Sequence, residues 1–232
     1  MGKLNKKNII IIILVVIGSA ALLVMAYIKN KNSEYDIKKH INETAITVNG
    51  HDVSLKETMY YIKDVEDMIN SMAVKYNPDE PNQFWNTHYS MGEDSVFIRD
   101  YAKEVAIDEC IYDYVMELEA QSNGIYLTDS EVQAQEEAAQ SYYESLDSQM
   151  LKTTGMTKDI AVEAFKRHTL VQKYVSKAVT DIDNRGYSGD DTLSQLSYSG
   201  EYYKQNILSK YSVSQNDEIW NNITMGTITG SK

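Results

Sequence analysis

The stretch Gly124-Ile125-Tyr126-Leu127-Thr128-Asp129-Ser130-Glu131-Val132, read with the segment that runs into it, constrains this chain more than any other. Upstream, Tyr101 to Ser122 carries apolar residues at helical spacing. Asn123-Gly124 then supplies the left-handed cap that ends such a helix. Downstream, Thr128 and Glu131 stand three apart as a capping box, which starts the next helix. The phrase predicts helix, tight stop, short extended link, helix, and a chain organised around it is mainly α.

The remaining punctuation agrees. Ala45-Ile46-Thr47-Val48 is a short β-prone run ending at the turn dipeptide Asn49-Gly50. After Val53, Ser54 and Glu57 form a second capping box, and Leu55, Met59, Ile62, Val65, Ile69 and Met72 trace one face of a helix. That helix should stop before Asn77-Pro78. Asn77 to Gly92 reads as an ordered loop holding Phe84 and Trp85. A long helix is predicted from about Asp94 to Asn123, and a Gln/Glu/Ala-rich one from Thr128 to about Leu151. A further helix from Thr157 carries the buried stripe Ile160, Ala164, Phe165, His168, Val171, Tyr174, Val175 and Ala178. Asp181 to Asp191 breaks the pattern, helical spacing returns from Leu193 to Leu208, and Tyr211 to Ser214 alternates like a strand. Gly226 to Lys232 reads as a flexible tail.

Ile9 to Ile28 is an uncharged run long enough to cross a membrane as a helix. An uncleaved anchor is the favoured reading, with a cleaved signal peptide ending near Val24-Met25-Ala26 as the alternative. Lysines lie on both sides of the run, so charge alone leaves its orientation open. The resulting organisation is a basic tail 1–8, an anchor 9–28, a polar stalk 29–42 and a helical core 43–180. A loop 181–191, a returning segment 192–224 and a tail 225–232 complete it. The chain has 22 basic and 34 acidic side chains, a formal charge of −12, and no basic stripe. This argues against nucleic acid as a partner. Cys110, the single cysteine, lies on an apolar helical stripe and reads as a small buried hydrophobe.

Four pieces in this order resemble the SurA N-terminal and PrsA-type extracytoplasmic chaperones. They are Val48-Asn49-Gly50 with the Val53-Ser54 helix start, the stop at Asn123-Gly124-Ile125, the Thr128 box, and Gly155-Met156-Thr157 opening the last helix. The resemblance spans about Ala45 to Val179. It implies a helical chaperone lobe with a small pairing of N- and C-terminal strands, preceded by one transmembrane helix and facing the extracytoplasmic side. In that family a parvulin-type prolyl isomerase domain usually follows the fourth helix. Here only about a dozen residues separate Val179 from the returning segment, too few for such a domain. The resemblance therefore implies a lobe whose last part returns so that Tyr211 to Ser214 pairs beside Ile46-Thr47-Val48.

No nucleophile, metal or phosphate motif is legible. His40, His51, His88 and His168 are scattered without ligand spacing, and there is no Gly-rich loop. No cofactor is expected, and no catalytic or metal residue is assigned. The methionines and tyrosines suit a different activity, because thioether and amphipathic aromatic side chains adapt to varied apolar partners. Met59, Tyr60, Met68, Phe84, Trp85 and Tyr143 are the candidate contacts for unfolded or newly exported polypeptides. The tyrosine pairs Tyr60-Tyr61, Tyr142-Tyr143 and Tyr202-Tyr203 cannot be buried throughout, since neighbours on a helix diverge by about 100°. A family-type peptidyl-prolyl isomerase and a structural protein docking one dedicated partner are the alternatives. The oligomeric state is left open.

Overall fold

A computed structural model of the chain describes residues 35–90, 92, 95–183 and 189–229. The predicted tail 1–8, the anchor Ile9–Ile28 and the start of the stalk lie outside the described residues. Among the described residues no helix is long and apolar enough to cross a membrane.

The chain from Ile37 onward forms one compact unit. It opens with a helical turn, α1 (Ile37–His40), so the last part of the predicted stalk belongs to the folded body. Strands β1 (Thr44–Val48) and β2 (His51–Ser54) form a hairpin. Asn49 and Gly50 both take positive φ, 51° and 81°, the turn whose twist matches that of the paired strands. Ser54 then caps α2 (Leu55–Tyr76), accepting from the Glu57 amide while the Glu57 carboxylate accepts from Ser54, the reciprocal box read from sequence.

A two-turn 3-10 segment, Pro81–Asn86, leads to α3 (Ile98–Ser122). This helix ends as predicted. Gly124, at φ 69°, lets its own amide reach Gln121 O and that of Ile125 reach Ala120 O, satisfying two orphaned carbonyls. Thr128 and Glu131 make the second reciprocal box at the start of α4 (Asp129–Ser145). The helix predicted to continue to Leu151 is interrupted, however. Asp147 turns outward and its carboxylate accepts from the Gln149 and Met150 amides, opening α5 (Ser148–Thr154). A short acidic side chain beside free amides gains more as a cap than inside a helix.

Helix α6 (Lys158–Asp183) outlasts the predicted break at Asp181, and α7 (Gly189–Leu196) begins inside it. Only residues 184–188 separate the two helices, so no isomerase-sized insertion exists there. The helical spacing from Leu193 to Leu208 is not one helix. It breaks around Gly200, where a Cβ would lie 2.3 Å from the Gln195 carbonyl, and resumes as a π turn (Tyr203–Ile207) and a 3-10 turn (Leu208–Lys210).

Strand β3 (Val213–Gln215) then pairs antiparallel with β1, giving the order β2-β1-β3. Ile46 faces Gln215, Thr47 faces Ser214 and Val48 faces Val213, one residue further along than the pairing the resemblance implied. Helix α8 (Asp217–Trp220) follows, and the Trp220 indole donates to Ala45 O at 2.9 Å. The returning segment is also tied to α3. Lys103 reaches Trp220 O at 2.9 Å, and the buried Glu119 carboxylate accepts from Lys210 at 2.6 Å and Tyr211 at 2.8 Å.

The core is the inner face of α2, with Leu55, Met59, Ile62 and Val65, against α3 and the sheet. Helices α4 and α6 form a hairpin with its own small core of Ala139, Ala161 and Val162. Arg167 seats this hairpin on the body. Its guanidinium donates to Glu117 at 2.8 Å and lies 3.6 Å over the Tyr114 ring.

Residues 225–229 depart from the predicted flexible tail. Met225, Ile228 and Thr229 are buried. The cause is Glu66 on α2, which accepts from the amides of Gly226 (2.6 Å), Ile228 (3.3 Å) and Thr229 (2.9 Å), and from the Thr229 hydroxyl. A buried carboxylate is tolerated only where donors replace its water, and here the returning backbone supplies them.

Candidate functional site

The inner face of α2 is sealed, whereas its outer face is not. Tyr60, Asp64, Met68, Met72 and Tyr76 recur every four residues, a row that winds about 160° around the helix, with Met68 and Met72 side by side at its middle. Met68, Met72 and Tyr76 are 44%, 46% and 66% exposed. Aromatic rings close both ends of the stripe. Tyr60 meets Tyr142 of α4 at 6.0 Å and Phe165 of α6 at 5.9 Å, and Tyr76 meets Phe84 at 5.1 Å.

The flank of the stripe is acidic. Burial, then Asp67, holds the Asp64 carboxyl above the usual carboxylate range. Burial, with Asp64 beside it, raises the Tyr60 phenol as well, so that hydroxyl stays neutral and can donate. The stripe thus offers thioethers, ring faces and hydroxyl donors next to negative charge, with no nucleophile or base aimed at a common point. Among the described residues no cluster of three or more His, Cys, Asp or Glu side chains could hold a metal. Cys110 is buried, and burial pushes its thiol up, so the reactive thiolate is disfavoured.

Three of the sequence-derived contact residues lie along this row without touching, Met68 within it and Tyr60 and Phe84 at its opposite ends. Tyr143 is half-buried on α4, but the neighbouring Tyr142 is the one that touches Tyr60. Two candidates are corrected. Met59 is 0% exposed, packed in the core on the opposite face of α2. Trp85 is 4% exposed, its indole donating to Asn70 at 2.9 Å and packing on Gly226 so closely that a Cβ there would lie 2.6 Å from the ring. Met72, expected on the buried stripe, is exposed, and Ala73 takes the buried position. His168, expected in the core, has a side chain 53% exposed. Tyr61 and Tyr203 are buried while Tyr60 and Tyr202 are not, as the pairing argument requires.

Sequence reasoning missed Met72, Tyr76, Tyr142 and Phe165. The four-residue recurrence from Tyr60 to Tyr76 was the signal that would have found the first two.

A second concavity, about 370 Å³, lies between the end of α3, the end of α6 and the π turn, with Glu119, Tyr174, Lys177 and Lys210 in its walls. The Glu119 carboxylate is already engaged there by Lys210 and Tyr211. No protein family, curated protein or solved structure matches this chain.

Proposed function

We propose that this chain is a membrane-anchored, extracytoplasmic, chaperone-like module that holds unfolded or newly exported polypeptides on the outer face of α2. It does so without nucleotide, metal or catalytic group. The observation that carries this reading is the exposure of Met68, Met72 and Tyr76, neighbours at four-residue steps, with the Tyr60 and Phe84 ring contacts beyond them. Large apolar side chains exposed side by side on a helix are what an interaction site presents. Flexible thioethers suit partners of varied sequence.

The acidic flank at Asp64 and Asp67, within a chain of net charge −12, favours client segments carrying Lys or Arg and keeps an adhesive surface soluble. The uncharged run Ile9 to Ile28 would hold the lobe near the point where exported chains emerge.

Light scattering tests the reading. A chemically denatured client is diluted into buffer with the full-length chain at near-stoichiometric ratio. Aggregation should be suppressed by the wild type and not by a Met68→Ser/Met72→Ser variant of equal stability. Absence of suppression by the folded wild type would sink the general chaperone reading and favour a structural role with one dedicated partner.

A further inference from the structure

We infer that the cleft between the ends of α3 and α6 and the π turn is a binding site for a free α-amino acid with an apolar side chain. Its volume, about 370 Å³, falls in the range of small-molecule sites. On α6, Tyr174, Ala178 and Ile182 stand four apart, are buried, and form an apolar floor together with Ile125. Lys177 and Asp181 flank that floor on the same helix, and both are exposed. Another wall is the π turn, which sets Tyr202, Asn206 and Lys210 along the cleft at four-residue steps. Such turns recur at functional sites.

The charged side chains of the cleft fall into two pairs of different status. Glu119 and Lys210 are bonded to each other at 2.6 Å, and Glu119 also accepts from Tyr211 at 2.8 Å and Asn123 at 3.4 Å. That carboxylate is buried and committed, while the Lys210 ammonium keeps donors to spare. Lys177 and Asp181 are placed differently. They stand one turn apart on α6, yet neither makes a hydrogen bond or ion pair to a described residue. Lysine ahead of the acid is the less favourable order for a pair four residues apart, in keeping with the helix dipole. The cleft thus offers an unpaired cation and an unpaired anion whose Cβ atoms lie about 6 Å apart.

A ligand that satisfies both must hold a carboxylate and an ammonium close together, and an α-amino acid carries them on one carbon. Its carboxylate takes Lys177 and the spare donors of Lys210, its ammonium takes Asp181, and its side chain covers Ile125, Ala178 and Ile182. A simple anion would gain Lys177 but meet Asp181 and Glu119, and a simple cation would meet both lysines. A peptide end presents only one of the two charges. Because the cleft joins α3 and α6 to the segment that leads into β3, an occupant ties the returning chain to the body and stabilises the fold.

Calorimetric titration and thermal melting of the full-length chain, with L-leucine as the probe, test this inference. At about 10 mM L-leucine the melting temperature should rise by about 3 °C. N-acetyl-L-leucine, which lacks the ammonium, and L-leucinamide, which lacks the carboxylate, should each bind about tenfold more weakly. Glycine, which lacks the apolar side chain, should be weaker as well. Lys177→Gln and Asp181→Asn should each weaken L-leucine binding about tenfold and leave the ligand-free melting temperature unchanged. Lys158→Gln, an exposed lysine at the other end of α6, should bind as the wild type does. Absence of calorimetric binding by L-leucine, L-phenylalanine and L-methionine at that concentration overturns the inference. So does N-acetyl-L-leucine or L-leucinamide binding as tightly as L-leucine, since one charge alone would then be read, or Lys177→Gln binding like the wild type. The readout is amino-acid binding, so either result leaves the client-binding reading untouched.

Discussion

The two faces of α2 carry similar side chains and meet opposite fates. The inner face presents Met59, Ile62, Val65 and Glu66 and is closed by α3, the sheet and residues 225–229. The outer face presents Tyr60, Met68, Met72 and Tyr76 and is closed only at its ends, by Tyr142, Phe165 and Phe84. Methionine occurs on both, so residue type did not decide which face became core. What decided it is where the returning segment lands. Glu66 needs donors, the backbone of 226–229 provides them, and Trp85 folds over Gly226 to seal that side. No segment of comparable reach is described over Met68 and Met72. The inner face is a structural interface completed within the chain, and the outer one is the surface on which we propose that clients bind.

That contrast can be broken or sharpened by substitution, beginning with the inner face. Glu66→Ala strands three backbone amides in the interior and should cost about 3 kcal/mol in urea unfolding. Gly226→Ala places a methyl 2.6 Å from the Trp85 ring at a φ of +90°, and should cost about 2 kcal/mol in the same assay. Asp147→Ala removes the cap between α4 and α5, for a loss of about 1 kcal/mol. On the outer face, Met68→Ser and Met72→Ser should each change stability by less than about 0.5 kcal/mol. A loss above about 1.5 kcal/mol at Met72 would mean that the outer face is packed like the inner one, and the contrast would fail.

The parts of this fold that were legible in sequence are those set by short-range chemistry. The boxes Ser54/Glu57 and Thr128/Glu131, the positive-φ turn at Asn49-Gly50 and the stop at Gly124 each need only a few adjacent residues, and each forms as read. The pairing of β1 with β3 was reached through the family resemblance, because nothing local to residues 213–215 points to residues 46–48. Glu66 shows the opposite case. It lies four residues after Ile62 and three before Ile69, so its place on the apolar stripe was visible, but its donors sit some 160 positions away and all but the Thr229 hydroxyl are backbone amides. Trp85 was misjudged for the same reason, since the surface that covers it is the backbone at Gly226. Met72 and Ala73 exchanged roles because helical periodicity leaves a margin of one residue near a helix end.

The helix break at Asp147 was readable from its acidic side chain ahead of Gln149 and Met150, and the uniform Gln/Glu/Ala composition around it hid that signal. Of the candidate site, Tyr60, Met68 and Phe84 were legible from composition and spacing. Tyr142 and Phe165 were not, because their arrival beside Tyr60 depends on how the α4–α6 hairpin sits on α2.

Site-specific photo-crosslinking tests the central claim most directly. A photoreactive side chain is placed in the full-length chain at Met68, Met72 or Tyr76, and for comparison at Tyr126 or Leu193, which are equally exposed apolar positions elsewhere. The chain is then illuminated with a denatured client present. Client adducts from the three α2 positions, with few from Tyr126 and Leu193, are the predicted result. Equal yields from all five positions would mean that exposure alone governs contact, and would contradict a binding surface on the outer face of α2.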